Sequence, residues 1–88
     1  MRYDETLPTL YTAIGNRIYL ERCRVRMSQR DLGRKLGISH AAVSDIERAK
    51  TRPDLDNLDT IAEALGVPLS ALVDVSERRR AQRPEGEE

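Results

Sequence analysis

Apolar residues recur at helical spacing in the middle of the chain. Leu32 and Leu36 are four residues apart, which places both on one face of a helix over residues 29–36. Val43 and Ile46 are three residues apart and share a face of a second short helix. Two helices in such close succession can bury their apolar faces only against each other or against helices elsewhere in the chain.

The residues between these two runs have the properties of a tight turn. Gly37 suits a position with positive φ, and Ser39 is a good N-cap for the second helix, which we place over residues 40–48. Gly33 is small enough to let the two helices cross closely, and we expect Ile38 to enter the core. The pattern predicts a helix-turn-helix, whose second helix can lie in the major groove of DNA.

The same spacing predicts three further helices, and therefore an all-α fold, a compact five-helix bundle with the helix-turn-helix at helices 2 and 3. We place the first helix at about 10–26 and the fourth at 55–65, with a short fifth helix after Pro68. Either Asp54 or Asp56 caps the fourth helix. The predicted inward residues are Leu10, Ile14, Ile18 and Val25 in the first helix and Leu58, Ile61, Ala62 and Leu65 in the fourth. The fifth helix carries Leu69, Leu72 and Val73.

Length and composition suit one small domain. The chain has 88 residues, 39% of them hydrophobic, and it lacks Trp and Phe, so the core must be aliphatic. We divide it into a flexible segment (1–9), the helical domain (10–75) and a disordered charged tail (76–88). No run is long and apolar enough for a membrane span or signal peptide, and one cysteine cannot form an intrachain disulfide. We therefore expect a cytoplasmic protein that does not bind membranes.

The charges sum to zero but are unevenly distributed. Residues 15–52 hold ten Lys or Arg and four Asp or Glu, for a local charge of +6, whereas residues 55–76 hold four acids and no base. A basic face opposite an acidic end would orient the domain on phosphates. The alternative is ordinary solvated charge on exposed helix faces. We favour the first interpretation because the basic stretch coincides with the helix-turn-helix.

Many positions also match the pattern of a known family. In the central motif they are Gln29, Leu32, Gly33, Leu36, Gly37, Val43, Ser44, Ile46 and Glu47, and outside it Ile14, Gly15, Arg17, Ile18, Arg22, Met27, Ser28, Pro53, Leu58, Ile61, Ala62, Ala64, Leu65, Gly66, Val67 and Leu72. Over about residues 13–74 the chain resembles the phage repressor and Cro type of helix-turn-helix protein, that is, the lambda repressor-like or XRE family. Two positions depart from the family pattern: Gly33 replaces the usual Ala, and Ala49 replaces a frequent helix-ending Gly, which leaves the form of that turn open.

The resemblance implies a DNA-binding surface. The residues expected to approach bases are Ser39, His40, Ala41, Ser44 and Asp45, and those expected to contact phosphates are Gln29, Arg48, Lys50 and Arg52. His40 and Gln29 have an alternative as plain exposed side chains. The family pattern further implies a buried ion pair between Arg22 and Glu47, the alternative being two exposed charges that never meet.

These expectations lead to one main function and two alternatives. The first is a sequence-specific transcriptional regulator, most simply a repressor or autoregulator, that binds palindromic operators on double-stranded DNA as a homodimer; activation would need a contact with RNA polymerase. The second is an antitoxin or other protein-binding module whose tail masks a cognate toxin, with DNA binding secondary. An enzyme is the weakest candidate because no cluster of catalytic groups, cofactor site or metal site is evident. The expected dimer surface consists of Leu69, Leu72, Val73 and Val75. Tyr3, Leu7, Leu10 and Tyr11 either pack on the domain, meet a second subunit or stay disordered.

Overall fold

A computed structural model describes residues 10–74, and within this range the chain forms five α-helices and no strand. The helices are α1 (Leu10–Arg24), α2 (Gln29–Leu36), α3 (His40–Glu47), α4 (Leu55–Leu65) and α5 (Leu69–Val73). The bounds predicted for α2 and α4 are confirmed, and the all-α, five-helix prediction holds. None of the described helices is long and apolar enough to cross a membrane.

One aliphatic core joins all five helices. Its buried members are Ile14, Ile18, Leu32, Val43, Leu58, Ile61, Ala62, Leu65 and Leu72, each at most 3% exposed. Leu72 is only 1% exposed, so its assignment to a dimer surface is wrong: α5 turns this side chain into the domain's own core. A small domain without large aromatic core residues needs every such aliphatic side chain to bury enough apolar surface.

Three apolar residues predicted to face inward are exposed instead. Leu10 is 43% exposed at the first residue of α1, beyond the packed part of that helix. Val25 is 38% exposed because α1 ends one residue earlier and the chain turns away at Arg26, which has a φ of 59°. Ile38 is also 38% exposed: its N–H bonds to the carbonyl of Gly33 at 2.9 Å, but its side chain lies on the surface of the turn.

The helix ends are formed by local hydrogen bonds that the sequence indicates. Ser28 and Asp31 form a reciprocal capping box at the start of α2, and the side chain of Ser39 accepts from the N–H of Ala42 at the start of α3. Of the two candidate caps for α4, Asp54 is the one used, accepting from the N–H of Asn57 at 2.8 Å. Gly37 ends α2 with a φ of 73°, the positive value expected from its place in the turn.

Two glycines allow close contact between α3 and its neighbours. A Cβ atom added at Gly33 of α2 would lie 2.6 Å from the carbonyl oxygen of Ile38, just before α3 begins. A Cβ atom added at Gly15 of α1 would lie 2.5 Å from the carbonyl oxygen of Glu47, the last residue of α3. Both distances are shorter than real Cβ contacts, so a side chain at either site would require the neighbouring backbone to shift.

The turn after α3 has a left-handed residue even though Ala49 stands where the family often has Gly. Ala49 follows α3 with a φ of 61°, a conformation that glycine adopts without strain and alanine does not. Its N–H donates to the carbonyl of Ile46, and the next N–H, that of Lys50, donates to the carbonyl of Asp45 at 2.8 Å. The turn therefore keeps the geometry that glycine would give it, but with alanine its backbone is more strained.

Candidate nucleic-acid interface

The outward side of α3 presents polar side chains to solvent. Val43 is 1% exposed and faces the core, whereas Ser39, His40 and Ala41 at the start of the helix are exposed. One turn later, Ser44 and Asp45 are half-buried. The five residues predicted to approach bases therefore lie on one helix in two groups, with the first group fully open.

Hydrogen bonds fix both ends of this surface. The oxygen of the Ser39 hydroxyl already accepts from Ala42, so its O–H proton remains able to donate outward. The backbone oxygen of Asp45 accepts from the N–H groups of Lys50 and Thr51, at 2.8 and 3.3 Å. These last two bonds tie the basic loop that follows α3 to the helix itself.

The carboxylate of Glu47 joins three helices. Its two oxygens accept from Arg22 of α1, with Nε to Oε2 at 2.6 Å and the Nη2 group to Oε1 at 3.1 Å. The other terminal nitrogen of Arg22 donates to the carbonyl of Met27 at 2.8 Å. The two side chains are only 10% and 5% exposed, so this is a buried, two-pronged ion pair. The hydrogen bond with Glu47 raises the pKa of Arg22, although burial alone would lower it.

Gln29 is part of the same network. Its amide nitrogen donates to Oε1 of Glu47 at 3.1 Å, and the residue is half-buried. A plain solvent-exposed side chain is therefore not what the structure shows. The amide group carries two N–H bonds, so one can point to Glu47 while the second remains for a phosphate.

The loop after α3 carries three exposed cations. Arg48, Lys50 and Arg52 are all exposed and lie within five residues of one another. Tyr11, which the sequence left open between three environments, packs against the core and donates its hydroxyl to the carbonyl of Pro53 at 2.9 Å. The Arg52 guanidinium carbon lies 5.7 Å from the centre of the Tyr11 ring.

Two further cations border α3 that the sequence analysis did not single out. Arg30 and Arg34 of α2 line a shallow surface depression together with Ile38, Ser39 and His40. The spacing of Leu32 and Leu36 contained the signal, because inward residues at these positions turn 30 and 34 outward. Arg34 also pairs with Asp31 at 2.5 Å.

The expected dimer surface is only partly available in this fold. Leu69 and Val73 are half-buried and pack against the core, Leu72 is buried, and Val75 lies outside the described residues. The most exposed large apolar side chain of residues 10–74 is Leu55 at the start of α4, at 67%. The proposed segments 1–9 and 76–88, with Tyr3 and Leu7, also lie outside the described range.

Comparison with known proteins agrees with this geometry. The helix-turn-helix family model HTH_3 matches residues 18–72, which include all of α2, α3 and α4. The chain belongs to the XRE-type helix-turn-helix family. This membership confirms the resemblance to phage repressors and groups the chain with DNA-binding transcriptional regulators.

Individual members of the family are similar over most of the described helices. The immunity repressor of Bacillus phage phi105 is 37% identical over 60 residues, which are 68% of this chain and 42% of that repressor. The chain therefore spans less than half the length of this relative. The c2 repressor of phage P22, solved in complex with a synthetic operator, is 33% identical with a TM-score of 0.63 over 69% of this chain and 92% of that structure. A Neisseria protein described as a hypothetical transcription factor has a TM-score of 0.73 at 28% identity, over 94% of this chain and 93% of that one.

Proposed function

We propose that this helix-turn-helix protein is a sequence-specific DNA-binding regulator that inserts the outward side of α3 into the major groove. The observation that carries the proposal is the division of α3 into two sides. Val43 is buried among the other helices, while Ser39, His40 and Ala41 are open to solvent at the N-terminal end. In helix-turn-helix proteins this end of the second helix contacts base edges.

The side chains of α3 suit direct contact with bases. His40 can donate or accept a hydrogen bond at a base edge, and the Ala41 methyl group can contact the methyl group of thymine. Ser44 and Asp45 lie one turn further, where the carboxylate of Asp45 can accept from the amino group of cytosine. A carboxylate also repels phosphates, so we expect Asp45 to select against wrong bases more than to add affinity.

The surrounding charges suit contact with the DNA backbone. Arg48, Lys50 and Arg52 are exposed beside α3, and the second N–H of Gln29 is available at the start of α2. Contacts of this kind fix the orientation of a protein on DNA without selecting sequence. Each phosphate neutralised should contribute about 0.9 to the slope of log K against log salt concentration.

We further propose that the protein acts as a homodimer on palindromic operators in the cytoplasm. Two α3 helices related by a twofold axis would contact half-sites about one helical turn apart, roughly 34 Å. Such binding at a promoter would repress transcription, including that of its own gene, and activation would require a further contact with RNA polymerase. The exposed Leu55 and the half-buried Leu69 and Val73 are the apolar residues that support an interface.

Selection from random duplexes, followed by fluorescence anisotropy on the selected sequence, tests the proposal. His40→Ala should change the preferred base at one position of each half-site, whereas Arg48→Ala should weaken binding to all sequences and reduce the salt slope by about 0.9. Arg24→Ala is the matched control, because this exposed arginine pairs with Glu21 on α1. This change should alter neither the base preference nor the salt slope. Failure of the wild-type protein to bind any duplex at low salt would refute the proposal.

The same anisotropy assay tests the alternative function of toxin binding, in which residues 77–88 would mask the toxin. A chain that ends at residue 76 should keep its DNA affinity if the helical domain is the functional unit. Analytical ultracentrifugation of free and DNA-bound protein tests the dimer. A single protein bound per selected site, with no symmetry in the selected sequence, would contradict it.

A further inference from the structure

An aromatic side chain attaches the first turn of α1 to the basic loop after α3. The Tyr11 hydroxyl donates to the carbonyl of Pro53 at 2.9 Å, across 42 positions of sequence. The ring of the same residue lies beneath the Arg52 guanidinium, whose central carbon is 5.7 Å from the ring centre. Tyr11 therefore holds both the backbone of the loop and the charged group of one of its cations.

Stacking orients a guanidinium without using its hydrogen-bond donors. The attraction between the cation and the face of the ring does not occupy any of the five N–H groups of the guanidinium. Arg52 forms no ion pair with any side chain of residues 10–74. Within the described part of the chain, no acidic side chain competes with an external anion for its charge and its donors.

A second arginine of the domain also lies over a tyrosine ring, but its donors have internal acceptors. The Arg22 guanidinium lies 5.5 Å from the ring centre of Tyr19, a similar cation–π distance. Its donors, however, are directed to Glu47 and to the carbonyl of Met27. The same kind of contact therefore accompanies an internal ion pair at Arg22, whereas Arg52 has no ion-pair partner among residues 10–74.

We propose that Tyr11 is a positioning residue for DNA binding, which holds Arg52 ready to donate to a backbone phosphate. This inference rests on the proposed function. A long, exposed arginine loses rotamer freedom when it binds, and a side chain that is already held loses less. Tyr11 thus acts through Arg52 and does not itself contact DNA.

A double-mutant cycle on DNA affinity separates this role from simple support of the fold. The proteins are the wild type, Tyr11→Leu, Arg52→Ala and the double variant, each measured by anisotropy on a mixed-sequence duplex of about 20 base pairs, two helical turns. Tyr11→Leu alone should weaken binding about three- to tenfold. In the Arg52→Ala background the same change should have almost no effect, because the group that Tyr11 positions is gone.

The remaining variants identify which feature of Tyr11 is responsible. Tyr11→Phe keeps the ring under Arg52 and loses only the bond to Pro53, so it should retain most of the affinity and the full salt slope. Tyr19→Leu is the matched control, because it removes a ring from a buried arginine whose donors are directed to Glu47 and Met27. Circular dichroism checks that each variant is folded, and Tyr11→Met replaces Tyr11→Leu if the leucine variant is not.

The outcomes are distinct. If Tyr11→Leu reduces DNA affinity equally in the presence and absence of Arg52, the inference is overturned and Tyr11 is a structural residue. Losses from Tyr19→Leu as large as those from Tyr11→Leu would overturn it as well. If the wild-type protein binds no duplex at all, it is the proposed function that fails.

Discussion

Removal of the Glu47 carboxylate should destabilise the domain strongly, because it breaks the buried ion pair with Arg22. Glu47→Leu leaves the Arg22 guanidinium, 10% exposed in its side chain, without its carboxylate and removes the acceptor of Gln29. An uncompensated buried charge of this kind costs about 3–5 kcal/mol. Domains of this size have a total free energy of unfolding of about 4–13 kcal/mol, so the loss is a large fraction of it.

Urea unfolding followed by circular dichroism measures this loss directly. At about 4–8 °C per kcal/mol, the thermal midpoint should fall by at least about 12 °C. The matched control is Arg24→Ala, which breaks an ion pair whose arginine side chain is 58% exposed. That change should cost only about 0.2–0.5 kcal/mol because solvent screens the pair.

The double variant Arg22→Met/Glu47→Leu makes the reasoning refutable. Replacing both charges by apolar groups removes the unpaired charge, so the double variant should be clearly more stable than either single variant. The coupling energy should be about 2 kcal/mol or more. Additive losses, or a cost below about 1 kcal/mol for Glu47→Leu, would show that the pair is not effectively buried.

Three further predictions concern stability. Ala49→Gly should raise the free energy of unfolding by about 0.5–1 kcal/mol, because glycine adopts a φ of 61° without strain. The control Ala13→Gly, inside α1, should lower the free energy of unfolding by about 1 kcal/mol. A fall of the urea midpoint in both variants would contradict this. Gly15→Ala should cost about 1–3 kcal/mol, since its Cβ would lie 2.5 Å from a backbone oxygen, and an unchanged thermal midpoint would contradict this. Asp31→Ala tests pH dependence: hydrogen bonds from Ser28 lower the pKa of Asp31 in the folded state, so its contribution exists above the unfolded pKa of about 3.9 and is lost as pH falls. The difference between wild type and Asp31→Ala in urea should therefore shrink from pH 7 to pH 3, and a constant difference would refute the assignment.

Sequence periodicity predicted most of the fold because the inward positions are aliphatic and regularly spaced. Leu32 and Leu36 placed α2 correctly, since a short helix with two apolar residues has only one face to bury. Val25 continues the same spacing, but periodicity contains no information about a left-handed residue at position 26. Ile38 is apolar within a turn, where burial depends on tertiary packing and not on spacing.

The candidate site was harder to predict where a side chain could bind either DNA or another part of the domain. Gln29 could be assigned to a phosphate from its helical position, but its bond to Glu47 depends on how three helices meet. Tyr11 precedes the recognisable motif, and its contact with Pro53 spans most of the domain. Pairings at such sequence separation follow from the assembled fold, which local patterns do not specify.

The absence of side chains at Gly15 and Gly33 has a consequence for how this protein can diverge. The main chain just before α3 and at its last turn packs closely against the backbone of two other helices. The outward residues 40, 41 and 44 take no part in that seating, so they can be exchanged without displacing the helix that bears them. A scaffold of this kind can acquire new target sequences by surface substitution alone.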